Sequence, residues 1–283
     1  MRAWITGLAV CWALLGFAPG ASAADAAPVR IGLTSVFLDD QTSFINAWRD
    51  YLEGRLHRKV VFVQRANYRE VMALMRSGKL DFAWVCGYPY VRNKQFVNLL
   101  AVPVYQGKPT YRSYLIVPAS DRDTKSISDL RDKVFAFSDP DSNSGYLVPV
   151  HDLAALQENA AGFFGKTFFT WSHRKVVEAV AASVAQAGAV DGYVWDMLAR
   201  QHPDLAAQTR IVKESPEFAF PPFITGKGVA PEAVNAMRAV LINMPQDAEG
   251  QRILHKLGLD GFVDGNDKMF GSIEKMMRAV AEK

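Results

Sequence analysis

Apolar residues fall along this chain in short bursts, separated by stretches where they recur every three or four positions. Val29 to Leu33 is an apolar burst that predicts a strand. From Thr42 to Leu56, Phe44, Trp48, Leu52 and Leu56 stand four apart, which is one face of a helix. Val60 to Val63 reads as a buried strand, and Asn67 as the cap of a helix carrying Val71, Met72, Leu74 and Met75 and ended by Gly78. Asp81 to Val85 is a further strand, broken by Cys86-Gly87-Tyr88-Pro89. The order β-α-β-α-β predicts an α/β fold with a mainly parallel sheet and helices on both faces.

The second half repeats the pattern. Strands are predicted at Tyr114–Val117, Val134–Phe137, Phe168–Trp171, Ala189–Val194 and Arg210–Lys213. A short capped helix is predicted at Ser126–Arg131, with longer ones at Gly145–Asn159 and Arg174–Ala187. Pro216 to Phe223 is irregular, and the tail from Pro231 is helical in at least two pieces. There is no internal repeat and no low-complexity segment. Breaks near Tyr111–Pro118 and Ser215–Pro222 suit two hinge crossings between two lobes. Lobe 1 is then residues 24–112 plus 218–283, and lobe 2 is 113–217.

Composition and charge narrow the class. The chain has 283 residues, 49% hydrophobic and 22% charged, which suits globular lobes that need no disulfide staples. With 32 basic and 29 acidic residues it has no basic footprint for nucleic acid. The first 23 residues differ from the rest: Arg2, an apolar run from Trp4 to Phe17, then Ala21-Ser22-Ala23. This is the pattern of a cleaved signal peptide. The run is short for a membrane anchor, which needs about 20 residues. Cys11 would leave with it, and Cys86 would remain as the one thiol of the exported chain.

Four stretches place chemistry at strand ends. In Phe135 to Tyr146 a strand runs into Ser138-Asp-Pro-Asp-Ser-Asn-Ser-Gly145, where a helix begins. The free N–H groups and positive end of a helix N-terminus, with Ser142, Asn143 and Ser144 as added donors, suit a phosphate-sized anion. The same residues also make an ordinary N-cap and turn. Ser172-His173 opens the next helix in the same style, so His173 is either a second donor or a surface histidine at a cap. Tyr193, Trp195 and Asp196 follow a strand and face either a cleft or the core. Cys86, Tyr88 and Tyr90 stand at a fourth strand end, the tyrosines as hydrogen-bonding groups and Cys86 as a sulfur contact or a small buried hydrophobe. No G-x-S-x-G, H-E-x-x-H or G-x-x-x-x-G-K-[ST] pattern is present, and the five histidines are scattered. A Cys86–His173 thiol–imidazole pair is the one enzyme alternative.

Ser138 to Pro149, Ser172-His173 before a helix, and Ala187-Gly-Ala-Val-Asp191 together resemble the PhnD-like periplasmic binding proteins of phosphonate and phosphite uptake, over most of the chain after residue 23. The resemblance implies a periplasmic, monomeric, non-enzymatic receptor without a cofactor, whose two lobes close on a small oxyanion. Ser142, Asn143, Ser144 and His173 would hold the anion. Tyr88, Tyr90, Trp195 and Asp196 would select what else enters. Asn143 departs from the family's usual threonine. Cys86 departs further, and resembles the branch containing the arsenite-binding sensor AioX, which works with a membrane histidine kinase. The implied partner is therefore an ABC permease or a sensor kinase ectodomain. The implied ligand is phosphite or a phosphonate with Cys86 only packing, or arsenite with Cys86 bonding arsenic.

Overall fold

The computed structural model describes residues 27–34 and 42–281. The signal-peptide expectation for residues 1–23 lies outside them. In chain order the elements are β1 (Val29–Thr34), α1 (Thr42–Leu56), β2 (Val60–Arg65), α2 (Tyr68–Arg76), β3 (Phe82–Trp84), α3 (Gly87–Arg92), β4 (Val97–Val104), β5 (Thr110–Tyr111), β6 (Ser113–Pro118) and β7 (Val134–Phe137). A single π turn (Asn143–Leu147) runs into α4 (Val148–Ala155). Then come α5 (Ala160–Phe163), β8 (Lys166–Phe169), α6 (His173–Ala181), β9 (Ala187–Asp191), α7 (Gly192–Gln201), α8 (Pro203–Ala206), β10 (Thr209–Glu214), β11 (Phe218–Ala219) and β12 (Phe223–Gly226). The chain closes with α9 (Pro231–Asn243), α10 (Ala248–Leu257), β13 (Gly261–Val263) and α11 (Gly271–Ala281). No described helix is long and apolar enough to cross a membrane.

The strands form two sheets, each flanked by helices. The first has the order β13-β4-β12-β3-β1-β2 and the second β10-β6-β9-β7-β8. The α/β architecture with mainly parallel sheets is as expected, and each sheet also holds a reversed strand. In the first, β2, β1 and β3 are parallel, while β12 runs antiparallel between β3 and β4. In the second, β8, β7, β9 and β10 run the same way, and β6 runs antiparallel between β10 and β9. The reversals arise where the chain passes between the sheets, because a returning strand enters without a crossover helix. Two short strands, β5 and β11, pair antiparallel at those passages.

Helix α1 matches its sequence pattern, burying Phe44, Trp48 and Leu52. Trp48, Trp84, Phe223 and Phe262 then pack as one aromatic cluster at the centre of the first sheet. Asn67 caps α2 by accepting the Glu70 N–H, and Ser126 and Asp129 form a reciprocal capping box. Other boundaries differ. Val60–Val63 is an edge strand with only Val60 buried, because β2 has a neighbour on one side alone. The break at Cys86–Pro89 is a short helix, with Pro89 tolerated in its first turn. Helix α6 stops at Ala181, and β9 takes Ala187 to Asp191, so Gly192 to Val194 open a helix instead of ending a strand. The apolar strands β4 and β12 have no alternating pattern that separates them from core helix.

Candidate functional site

The residues that converge lie between the two sheets. Residue 138 ends the track of β7, and the run Asp139 to Leu147 carries the chain into α4. Ser142 is the N-cap, accepting the Gly145 N–H at 3.0 Å. Its Oγ also faces His173 Nε2 at 3.5 Å. With two groups directed at its lone pairs, Ser142 keeps its own O–H free to donate. His173 is the first residue of α6 and fully buried. Its Nδ1 accepts the Asp191 N–H at 3.0 Å, which places the imidazole proton on Nε2. Burial pushes its pKa down to about 3, so it is a neutral donor at physiological pH. Close packing makes this geometry possible: a Cβ on Gly188 of β9 would stand 2.4 Å from Val176 Cγ1 of α6, so glycine lets the helix approach the strand.

The first sheet contributes from the opposite side. Cys86, the N-cap of α3, accepts the Asn143 N–H at 3.3 Å, and its sulfur lies 3.9 Å from the Tyr111 hydroxyl. Asn143 Nδ2 donates to the same hydroxyl at 3.0 Å. The Tyr68 N–H donates to Asp139 Oδ2 at 3.2 Å. Asp141 pairs with Arg92 at 2.6 Å and Arg69 at 3.5 Å at the rim. The two units are therefore closed on each other along this line.

The cluster is rich in buried polar atoms that complete no hydrogen bond among the described residues: Ser138 Oγ, Asn143 Oδ1, Ser144 Oγ, Ser172 Oγ and the Tyr68 hydroxyl. An unpaired buried polar group costs about 1–3 kcal/mol, so five around one junction are not a packing accident. Tyr68 joins the cluster through its backbone N–H, which donates to Asp139. Burial raises Tyr68 and Tyr111 well above the usual phenol range. It also pushes the Cys86 thiol up to about 11 and the Asp191 carboxyl up to about 8. The donors on offer are therefore hydroxyls, an amide and a neutral imidazole, while the guanidiniums of Arg69 and Arg92 stay at the rim with Asp141.

The structure thus brings together Cys86, Ser142, Asn143, Ser144 and His173. Tyr88 stands half-buried at the edge, under the Arg92 guanidinium. Tyr90 turns away: its hydroxyl donates to Asp267 and its ring packs on Phe270. Trp195 Nε1 donates to Thr209 Oγ1 at 3.0 Å, and Asp196 accepts from Tyr105 and Tyr114, so both belong to a different region. Tyr68, Tyr111 and Asp191 were missed as site residues. Asp191 had a signal, since it ends the quoted Ala187–Asp191 segment, whereas Tyr68 and Tyr111 look like core aromatics. No hydrogen bond joins Cys86 to His173, and a thiol held at about 11 is the opposite of an activated nucleophile.

Two helix-flanked sheets joined by paired crossings, with a cluster of buried polar groups where they meet, give the chain a two-lobed α/β fold. A family model described as ABC transporter, phosphonate, periplasmic substrate-binding protein matches residues 31–270, and the chain belongs to that family. It is 24% identical over 251 residues to the phosphonates-binding periplasmic protein of Escherichia coli, covering 84% of this chain and 73% of the relative. It is 22% identical over 249 residues to a probable ABC transporter phosphite binding protein of Prochlorococcus marinus, covering 82% of each. Its fold matches the crystal structure of a binding protein component of an ABC phosphonate transporter from Pseudomonas aeruginosa with a TM-score of 0.83. That match has 22% identity and covers 90% of this chain and 87% of the other.

Proposed function

We propose that this chain is a periplasmic receptor that captures a small tetrahedral oxyanion, phosphite or a phosphonate, between its lobes and delivers it to an ABC permease. The observation that carries the reading is the set of buried, unpaired hydroxyls of Ser138, Ser144 and Ser172 beside His173 Nε2–H at the start of two helical runs. Such donors hold an anion without a metal or a cationic side chain, and the helix termini add their dipoles. Residues 24–112 with 218–283 would form one lobe and 113–217 the other, moving about the β5–β11 ribbon. Among the residues at the site, Ser142, Ser144 and His173 are assigned to the anion. Micromolar affinity is about −8 kcal/mol, and hydrogen bonds to a charged group contribute roughly 1.5–3 kcal/mol each. Ser142→Ala, Ser144→Ala and His173→Ala should therefore each weaken binding of phosphite or methylphosphonate at least about tenfold, measured by calorimetry. Unchanged affinity in all three would place the site elsewhere.

One observation favours a second reading. Cys86 Sγ sits on the opening N–H of the anion loop, between Asn143 and the Tyr111 hydroxyl. A soft sulfur there gains nothing from phosphonate oxygens but suits arsenic. Arsenous acid condenses with a thiol by forming As–S and releasing water, so the thiol's proton leaves in that water and a thiol held near 11 remains competent overall. A receptor of that kind would serve a sensor histidine kinase. Cys86→Ser separates the two: arsenite binding should be lost with the thermal melt retained. Tight phosphite binding by both wild type and variant, with no arsenite binding by either, would leave Cys86 a packing residue.

A further inference from the structure

A second cavity lies beside the crossings and shares Tyr111 with the oxyanion cluster, with a volume of about 200 Å³. Its walls come from the end of β4, from β5 and β6, from α7 and from the segment after β10, so both passages between the lobes border it. Its centre of charge is Asp196, partly buried on α7. Oδ2 accepts the Tyr105 hydroxyl at 2.7 Å and the Tyr114 hydroxyl at 3.3 Å. No hydrogen bond or ion pair among the described residues reaches Oδ1. Arg200, one turn further along α7, acts on the carboxylate through space without forming a pair.

The other charges of the lining are already matched. Lys108 pairs with Glu217 at 2.9 Å, and Arg112 reaches Glu217 at 3.4 Å and Glu214 at 3.8 Å. The lining thus holds three carboxylates and two cations, and Asp196 is the carboxylate outside those ion pairs. Gln106, Thr110 and four tyrosines complete the wall: Tyr105 and Tyr193 meet edge to face at 5.2 Å, and Tyr114 is backed by Trp195 at 6.2 Å.

We propose that this cavity is a second binding site, for a small organic ammonium ion, with Asp196 as its counter-ion and the tyrosine rings as its apolar wall. An ammonium directs N–H groups at Oδ1 and the phenol oxygens, and lays its alkyl part against rings whose faces attract cations. A divalent metal is a poorer occupant. Such ions take six or more oxygen ligands, and no group of three His, Cys, Asp or Glu suited to a metal occurs among the described residues. An anion is a poorer one too, because Lys108 and Arg112 are engaged with Glu217 and Glu214. The volume corresponds to roughly six or seven water molecules at about 30 Å³ each, which fits a short alkylammonium.

The probe is n-butylammonium chloride, titrated by calorimetry into the full exported chain without oxyanion, with sodium chloride and n-butanol as controls. Saturable binding of butylammonium, none of butanol, and at least tenfold weaker binding in Asp196→Asn are expected. Asparagine keeps the acceptor for the two phenols and removes only the charge. Tyr114→Phe deletes one donor to Asp196 without touching the carboxylate, and serves as the second variant should Asp196→Asn melt early; it should weaken the ion at least threefold. Absence of saturable binding in wild type, or unchanged affinity in the folded variants, overturns the proposal.

Discussion

Gly145→Ala is expected to weaken oxyanion binding by about a hundredfold, which corresponds to about 2.7 kcal/mol. A Cβ at this position would stand 1.9 Å from Ser138 Oγ, 2.8 Å from Ser138 Cβ and 3.0 Å from His173 Cε1. Ser138 can rotate its hydroxyl away, but its Cβ belongs to a fully buried backbone segment and cannot. The loop must therefore move, and it carries Ser142, Asn143 and Ser144 with it. Overpacking of this kind also costs about 1–3 kcal/mol of stability. Gly162→Ala is the matched control, since its nearest neighbour to an added Cβ is Asn159 Oδ1 at 3.6 Å, and it should bind as wild type does. Calorimetry with phosphite reads the effect, and Ser138→Gly combined with Gly145→Ala should recover part of it, since the pair in contact is then non-additive. Wild-type affinity in Gly145→Ala would show that the loop does not touch ligand.

Stability should fall by about 1 kcal/mol between pH 6.5 and pH 8, and Asp191 is the cause. This carboxyl is fully buried at the start of α7, and burial pushes it up to about 8 from an ordinary 3.8. Between those values the folded chain holds a proton that the unfolded chain releases, so its contribution is full below 3.8 and is lost as pH rises through 8. His173 has the opposite sign. Its folded value of about 3 lies below 6.5, so the unfolded chain holds the extra proton and stability is lost as pH falls below 6.5. The two slopes oppose each other from about 4 to 6.5, and Asp191 acts alone above that. Urea unfolding at pH 6.5 and 8 tests the difference. Asp191→Asn, which keeps an acceptor for the Tyr193 N–H, should flatten the alkaline limb. Equal unfolding free energies in wild type at both pH values would remove Asp191 as the titrating group.

Several site residues were legible because their signal is local. Ser142 and His173 announce themselves by standing where a strand gives way to a helix, and capping chemistry reaches only three residues along the chain. Tyr88 and Tyr90 show how such reading fails. Taken as the end of a strand, residues two apart share a face; in the short helix they actually form, they point in nearly opposite directions. Tyr88 therefore stays at the rim and Tyr90 turns back onto Phe270. Trp195 and Asp196 were displaced for the same reason: β9 ends at Asp191, and the following turn of helix carries Trp195 onto Thr209 and Asp196 to the cavity beside the crossings.

The sequence by itself determined the alternation of strands and helices, the caps at Asn67, Ser126 and Ser142, and the two donor-bearing helix starts. Each rests on backbone hydrogen bonds and side-chain periods that act within a few residues. Only the tertiary structure decided that β12 would lie between β3 and β4, that Cys86 and Tyr111 would meet Asn143, and that Tyr68 would meet Asp139. Those meetings join residues as much as 71 positions apart. Long-range meetings of this kind are set by which apolar faces bury each other and by where the chain crosses between the lobes, and no local period records either.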